Sequence, residues 1–366
     1  MVFLGGMVSP EKTIDFLIAG QGLAGTFLAR DLLERGKRVL VVDDAQRASS
    51  SRVAAGLLNP ITGMRLRLAE GTPELLQNSK ALFARLEREH GKRFFTPMPI
   101  RRVYDSAKEI ALKAQRYAGE EYAALMSEDC PPDSTAVPVN DALGSFVIGE
   151  GGWVDLPLLL DLEADWLRRR GVLLEGVVHP GKMDPDGRGG IFWEGWQARQ
   201  GVVFCNGYKA GLYQCWDWLP WQPAKGEIID CQTSLPGAGE ILNRGGWAIP
   251  LGGGRWRCGS TWEWKLINSR PTPGVEAELQ ARLEGFFKVP IAAKVVEHRA
   301  GVRPCVRGSH PFCGTHPKFP WMHLFSGLGP KGTFWGPTCA QLLADWLCEG
   351  KPLPLRFDLR RETLAR

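Results

Sequence analysis

The sequence predicts an α/β protein interrupted by an antiparallel, β-rich insertion, and three observations carry that expectation. Residues 14–44, IDFLIAGQGLAGTFLARDLLERGKRVLVVDD, join a buried strand, a glycine turn, an amphipathic helix and a second strand ending in acid. A second capped helix, in GGWVDLPLLLDLEADWLRRRG, precedes two further strand-like runs. Between residues 216 and 298 the texture changes to tryptophan-rich, glycine-punctuated segments such as KGEIIDCQ, GGWAIPLGGG and RWRCGSTWEW, which read as short strands and turns.

Each part of the first unit has a physical task. Residues 14–19 are a short apolar run, the pattern of a parallel strand covered on both faces. Gly20 permits a tight turn, Gly22 lets a pyrophosphate approach the backbone, and Gly25 lets the helix pack closely on the strand. Leu23 and Ala24 open that helix, whose N-terminal amides and dipole favour phosphate. Asp43 stands eighteen residues after Gly25, at the end of the run 39–42, where a carboxylate accepts both hydroxyls of a ribose; Asp44 follows it. The reading is a Rossmann-like dinucleotide-binding unit; the alternative is a glycine turn in an unrelated α/β unit.

Composition excludes several classes. A chain of 366 residues, 44% hydrophobic, is long enough for two domains. Its formal charge of +5, from 45 basic and 40 acidic residues, is modest and does not argue for nucleic acid or a membrane surface. Nine scattered cysteines without a CxxC point to reduced thiols and a cytoplasmic protein, and six scattered histidines give no metal-ligand spacing. Residues 1–13 lack a basic region followed by a long apolar stretch, which argues against a secretory leader, and Met7 is an alternative start. No apolar run approaches the roughly 18 residues of a membrane span.

Along the chain, residues 48–63 (ASSSRVAAGLLNPITG) are small and flexible, suited to a loop pressed against a ligand. Thr72 is expected to cap a helix running to His90, and Asp155 one ending before Gly171. Residues 92–150 read as short strands alternating with turns, 172–178 and 201–206 as strands, about 273–287 as a helix, and about 336–349 as the last helix.

At this point the residues resemble, over nearly the whole chain, the flavoprotein family of D-amino-acid oxidase, glycine oxidase and sarcosine oxidase. The glycine turn extends to GxGxxGxxxA, with Ala29 as the last small residue. SSRVAAGLLNP resembles the family's small-residue loop after the second strand, and Gly301 to Pro304 followed by SGLGPKGTFWGP resembles its GxRP strand, glycine turn and C-terminal helix. The resemblance implies a glycine-oxidase-like architecture: a discontinuous FAD-binding domain (13–95, 150–215 and 299–366) and a substrate domain (96–149 and 216–298).

It also implies roles. FAD is held non-covalently along the first unit and by Ser50, Ser51, Arg52, Ala55, Gly56 and Leu57, whose hydroxyls and backbone donors suit phosphate, ribityl chain and ring; read alone, that loop is alternatively an ordinary surface turn. The backbone of Val177 or Val178 faces the adenine, although core packing explains those valines equally well. GVVFCNG resembles the family's VVxAxG turn and places Asn206 and Gly207 beside the cofactor. Gly327, Leu328, Gly329, Lys331 and Gly332 aim backbone amides and a helix N-terminus at the ring edge where negative charge collects on reduction; Lys331 read alone is equally a solvated surface lysine.

For chemistry, Arg303 matches the arginine that grips the substrate carboxylate in glycine and D-amino-acid oxidases, a task suited to a planar guanidinium. A structural ion pair is its alternative. Trp247 and Trp262 fall where the family places side chains over the substrate face of the flavin, with core packing in a strand the equal alternative for each, and Arg257 resembles a lysine used for oxygen activation in the sarcosine-oxidase branch. Two departures leave the substrate open: Arg307 to His310 replace an acid that follows the RP motif of glycine oxidase, and Pro330 replaces an arginine. Cys305 lies two residues beyond the place of the covalent flavin link in the sarcosine-oxidase branch, which is Arg303 here. The expected function is oxidation of the C–N bond of a small amino acid or N-substituted amine, with hydride passing to flavin N5 and O2 or another acceptor taking the electrons. The alternatives are a flavin oxidase acting on a carboxymethylamino group of modified tRNA, against which the weak net charge argues, a non-catalytic FAD-binding subunit, and an NAD dehydrogenase.

Overall fold

The computed structural model describes residues 12–45, 49–237 and 239–364. Met7 and Ala48 therefore lie outside the described residues. The chain forms two compact units: Met1–Arg47, Leu160–Pro223 and Arg303–Arg366 make the first, Ala48–Leu159 and Ala224–Val302 the second.

The first unit is built on a six-stranded sheet in the order Leu173–Glu175, Val39–Asp43, Phe16–Ala19, Val202–Phe204, Met322–Ser326, Phe312–Thr315. The first five strands run parallel and the last returns antiparallel. Phe16–Ala19, Val202–Phe204 and Met322–Ser326 are buried throughout, as strands of a parallel sheet covered on both faces must be. Helix Leu23–Glu34 packs against helix Gly332–Glu349. The approach is close because a Cβ on Gly332 would stand 2.8 Å from Leu23 Cδ1 and one on Gly336 3.1 Å from Phe27.

Several boundaries differ from expectation for definite reasons. The run 14–19 is two strands, because the amides of Asp15 and Phe16 both donate to the Arg38 carbonyl (2.7 and 3.2 Å). That irregularity sends Thr13–Ile14 into a small separate sheet beside Trp196–Ala198. The strand expected over 172–178 is only Leu173–Glu175; the Gly176 amide makes a last bond to the Asp43 carbonyl and the chain then leaves the sheet. The final helix begins at Gly332, not near Gly336, with Pro337 inside it rather than at its start.

A buried ion pair ties the first helix to the chain after residue 160: Arg30 Nε and Nη2 donate to the two Glu163 oxygens at 3.0 and 2.9 Å, and the Trp166 ring lies 3.9 Å beneath the guanidinium. Arg30→Met removes both of those bonds from the buried Glu163 carboxylate. It is expected to cost about 3–5 kcal/mol in urea unfolding, as breaking a buried pair does; a loss below about 1 kcal/mol would mean that water or rearrangement solvates Glu163.

The second unit carries an eight-stranded sheet, in which Ala224–Gln232, Arg255–Gly259, Trp247–Gly252 and Ile241–Asn243 are antiparallel neighbours. Ile241–Asn243 then pairs parallel with Ile100–Val103, and Ser145–Ile148 and Met126–Cys130 complete that side. Helix Val275–Glu284 covers part of it, with Leu279 and Leu283 in a core around Trp256, Phe286 and Phe287. Helix Thr72–His90 has the expected extent, although its N-cap is Gly71 and the Thr72 hydroxyl donates to the Ala69 carbonyl. Residues 92–150 were expected to hold only strands and turns; they also form helices Ala107–Tyr117 and Glu120–Ala123.

Candidate functional site

In the first unit, five segments singled out in the sequence lie at the carboxyl ends of the five parallel strands. Gly20 follows Phe16–Ala19, Asp43 closes Val39–Asp43, Val177 and Val178 follow Leu173–Glu175, Asn206 and Gly207 follow Val202–Phe204, and Gly327 follows Met322–Ser326. That edge is where open α/β sheets bind ligands.

The glycine turn is a closed cradle. A Cβ on Gly25 would overlap the Gly20 carbonyl oxygen and stand 3.2 Å from Cys205 Cβ. Gly22 is the N-cap of helix Leu23–Glu34 and contributes no side-chain cap, and helix N-termini of this kind can receive an anion. Asp43 is held by two backbone amides, Oδ2 accepting from Gln21 at 2.7 Å and Oδ1 from Ala45 at 2.8 Å. Each oxygen keeps further acceptor capacity for a hydroxyl. Asp44 pairs instead with Lys209 at 2.6 Å.

Val177 and Val178 separate clearly. Val177 is 61% exposed, whereas Val178 is buried in the core and its carbonyl accepts from the Tyr213 hydroxyl at 3.3 Å. Asn206 donates through Nδ2 to Tyr213 at 3.2 Å, while its Oδ1 is buried with no hydrogen-bond partner. A buried acceptor of that kind calls for a donor from a ligand or water. The Gly207 carbonyl accepts from Ser326 Oγ at 3.0 Å, fastening one turn to the next strand end.

The Arg303–Pro304 end of the GxRP segment and the last glycine turn meet in this unit. The Gly329 amide donates to the Pro304 carbonyl at 3.3 Å, and a Cβ there would lie 3.6 Å from Cys305 Sγ. Lys331 is the N-cap of helix Gly332–Glu349, which has no side-chain cap, and Leu328 is buried beneath the turn. Lys331 Nζ lies 6.0 Å from the Phe334 and Trp335 rings, and burial draws its pKa below the ordinary lysine value. Burial likewise lowers the pKa of Arg303, with Cys305 opposing. The Cys305 thiol is pushed up to about 11 by burial, against the pull of Arg303, so it is not a thiolate at neutral pH.

The second unit holds the remaining residues. Ser50, Ser51 and Arg52 lie in the short helix Ser50–Val53, capped by Ser49 Oγ accepting from the Arg52 amide. Ala55 is buried, and Leu57 pairs with Trp153. Gly56 has φ +72° and faces the Val154 carbonyl so closely that any Cβ would overlap it. Gly301 packs on the same segment, with its Cβ position 3.1 Å from Val53 and 3.4 Å from Ser50. Trp247 is half-buried opposite Gly259, and the Trp262 indole stacks on Trp264 at 5.8 Å and 23°. Arg257 is committed elsewhere: it donates to both Asp230 oxygens at 2.8 and 3.0 Å, and Arg255 and Arg299 reach the same carboxylate.

Sequence reasoning missed Gln21, whose side chain donates to Thr26 and to the Leu160 carbonyl while its amide holds Asp43. Its place inside the GxG turn was the available signal. All nine cysteines are free thiols. Among the described residues no cluster of His, Cys, Asp or Glu could hold a metal, and no helix is long and apolar enough to cross a membrane.

The profile of the family described as FAD dependent oxidoreductase (DAO) matches residues 15–346. The tRNA 5-methylaminomethyl-2-thiouridine biosynthesis bifunctional protein MnmC of Aeromonas hydrophila is 25% identical over 396 residues, covering 94% of this chain and 57% of that protein. The chain thus spans little more than half the length of that relative. Glycine oxidase of Pseudomonas putida is 26% identical over 355 residues, covering 92% of this chain and 95% of that enzyme. In fold, the crystal structure of glycine oxidase from Geobacillus kaustophilus matches with a TM-score of 0.81 at 20% identity, over 96% of this chain and 98% of that one.

Proposed function

The chain belongs to the DAO family of FAD-dependent oxidoreductases, and on that premise we propose that it oxidises the C–N bond of a small amino acid or N-substituted amine carrying a carboxylate. The observation that carries this reading is Arg303, a half-buried guanidinium one residue before the carbonyl that anchors the Gly327–Gly332 turn. The residues fit FAD on four counts: the Cβ-free cradle at Gly25, the helix start without a side-chain cap, the fixed carboxylate of Asp43 and the orphaned Oδ1 of Asn206. The first unit is assigned as the FAD-binding domain. From the second, the segment Ser50 to Leu57 is assigned to the cofactor, and Trp247 and Trp262 to the substrate.

When bound, FAD supplies the two-electron acceptor. Arg303 grips the substrate carboxylate through its fork and fixes the orientation of the carbon that bears the amine. The amides around Gly329 and the start of helix Gly332–Glu349, with the ammonium of Lys331, would face the ring edge of a bound flavin and favour negative charge there. No side chain has to take the amine proton if the free amine reacts. Because Arg303 holds the place of the covalent flavin link of the sarcosine-oxidase branch and Cys305 lies two residues beyond it, the cofactor is taken to be held non-covalently, so denaturation should release all of it.

A second reading has its own support: the MnmC relative covers 94% of this chain, and a carboxymethylamino group on tRNA presents the same amine and carboxylate to Arg303. Anaerobic bleaching of the bound flavin, followed at its bands near about 370 and 450 nm, separates the cases. Amino acids or N-alkylglycines bleach it under the first reading, tRNA bearing the modified uridine under the second. A flavin that no amine bleaches means a non-catalytic subunit. Oxygen as acceptor is tested separately. Because Arg257 is bound to Asp230, Arg257→Met is expected to leave reoxidation by oxygen within about twofold of the parent; a slowing beyond about tenfold in stopped flow would return Arg257 to that role.

A further inference from the structure

Lys225 and Glu227 stand two residues apart on strand Ala224–Gln232, so they share one face. Both side chains are 2% exposed and their charges lie 3.2 Å apart. Burying such a pair gains little by itself, so what the pair holds is the informative question. It holds residues 261–272, which contain no helix or extended strand.

One end of that segment is fastened through the backbone. Lys225 and Glu263 exchange amide–carbonyl bonds of 2.8 and 3.0 Å, the Glu227 amide donates to Thr261 Oγ1 at 2.9 Å, and the Thr261 amide returns to the Glu227 carbonyl at 3.3 Å. The other end is fastened by the buried charges. The Lys225 ammonium donates to Thr272 Oγ1 at 2.8 Å, to Asn268 Oδ1 at 3.3 Å and to the Arg270 carbonyl. The Glu227 carboxylate accepts from the Thr272 amide at 2.9 Å and bonds His298 Nε2 at 2.9 Å. Burial would raise the Glu227 pKa, but the bonds from Thr272 and Lys225 outweigh it and hold it below the ordinary carboxylate value.

Between these fastenings the segment displays Trp262, Trp264 and Leu266, which are 46%, 61% and 54% exposed. Three large apolar side chains at alternate positions of one irregular segment are more than the scattered exposure ordinary for a surface. An irregular segment also has few bonds of its own to resist opening.

We propose that Lys225 and Glu227 are positioning residues, which hold the 261–272 segment so that Trp262 is presented to substrate in one fixed orientation. This rests on the assignment of Trp262 to the substrate. The network is absent from the chemistry itself, so its loss should appear in substrate binding and not in cofactor content.

The test uses the FAD-bound protein with three variants. Asn268→Ala and Thr272→Val remove acceptors on the segment's side and leave the strand intact; Lys225→Met removes the ammonium and is the variant most at risk of misfolding. Hydrogen exchange of peptides covering 261–272 is compared with that of 247–259, and KM and kcat are measured with whichever amine bleaches the flavin. The expected result is a loss of protection of about tenfold confined to 261–272, a KM raised about tenfold, kcat within about twofold and unchanged FAD content. Unaltered protection in all three variants overturns the inference, while leaving the Trp262 assignment to its own test by Trp262→Ala. A loosened segment with unchanged KM, together with an unchanged KM in Trp262→Ala, overturns that assignment and the inference with it.

Discussion

Gly25→Val is expected to yield a folded chain that carries no FAD. The valine Cβ would overlap the Gly20 carbonyl oxygen and crowd Cys205, and both obstacles are backbone or buried side chain that have no room to yield. The start of helix Leu23–Glu34 must therefore move away from the strand that ends at Ala19. Two consequences follow. The helix N-terminus leaves the phosphate position, and the Gln21 amide is displaced from Asp43 Oδ2, which it now holds at 2.7 Å. Losing both the phosphate contacts and the ribose carboxylate together is worth about 4 kcal/mol or more, roughly a thousandfold in affinity. Purified protein should be colourless, fail to quench the fluorescence of added FAD at micromolar concentration, and keep its far-ultraviolet circular dichroism. A yellow protein with one flavin per chain would show that the cofactor does not sit on this turn.

That prediction rests on the part of the molecule most legible in the sequence. The strand, glycine turn, helix and acid of residues 14–44 are specified by neighbours in the chain: apolar periodicity, a missing Cβ and one terminal carboxylate. The helix Ala107–Tyr117 was also specified locally by the S-A-K-E pattern of a capping box: Ser106 Oγ accepts from the Glu109 amide, although Glu109 reaches back to the Asp105 amide, one residue before the cap. It was passed over because its face toward the sheet buries Glu109 and Lys113 in place of an apolar stripe. Other features depend on register, which no local pattern supplies. Arg257 and Asp230 are directly opposite across two antiparallel strands, and that pairing converts a candidate oxygen-facing cation into an ion pair. The bond from Gly329 to Pro304 brings the RP motif and the final turn together in a way that their separation in sequence does not announce. The parallel pairing of Ile241–Asn243 with Ile100–Val103 joins segments from either side of the first unit's 160–223 stretch, and no composition signal points to it.

Arg303→Leu is expected to keep FAD and lose turnover. The substitution keeps an aliphatic side chain but removes the fork that grips the carboxylate in the proposed mechanism. The loss of a charge-assisted bidentate contact in a desolvated site is worth about 3–5 kcal/mol, or roughly two to four decades in kcat/KM. Burial lowers the pKa of this guanidinium but leaves it cationic, so the effect should be independent of pH through the neutral range. Arg303→Lys separates charge from geometry: a point charge without the fork should recover only about one decade. The control lies in the substrate. The methyl ester or amide of the same amine lacks the carboxylate, so it should react slowly with the parent enzyme and at a similar rate with Arg303→Leu. If Arg303→Leu stays within about threefold of the parent in anaerobic flavin reduction, or if the ester loses as much as the acid, then Arg303 is serving the fold. The carboxylate would then have to be held by a different cation, of which Lys331, half-buried at the N-cap of the last helix, stands nearest in the chain to the same turn.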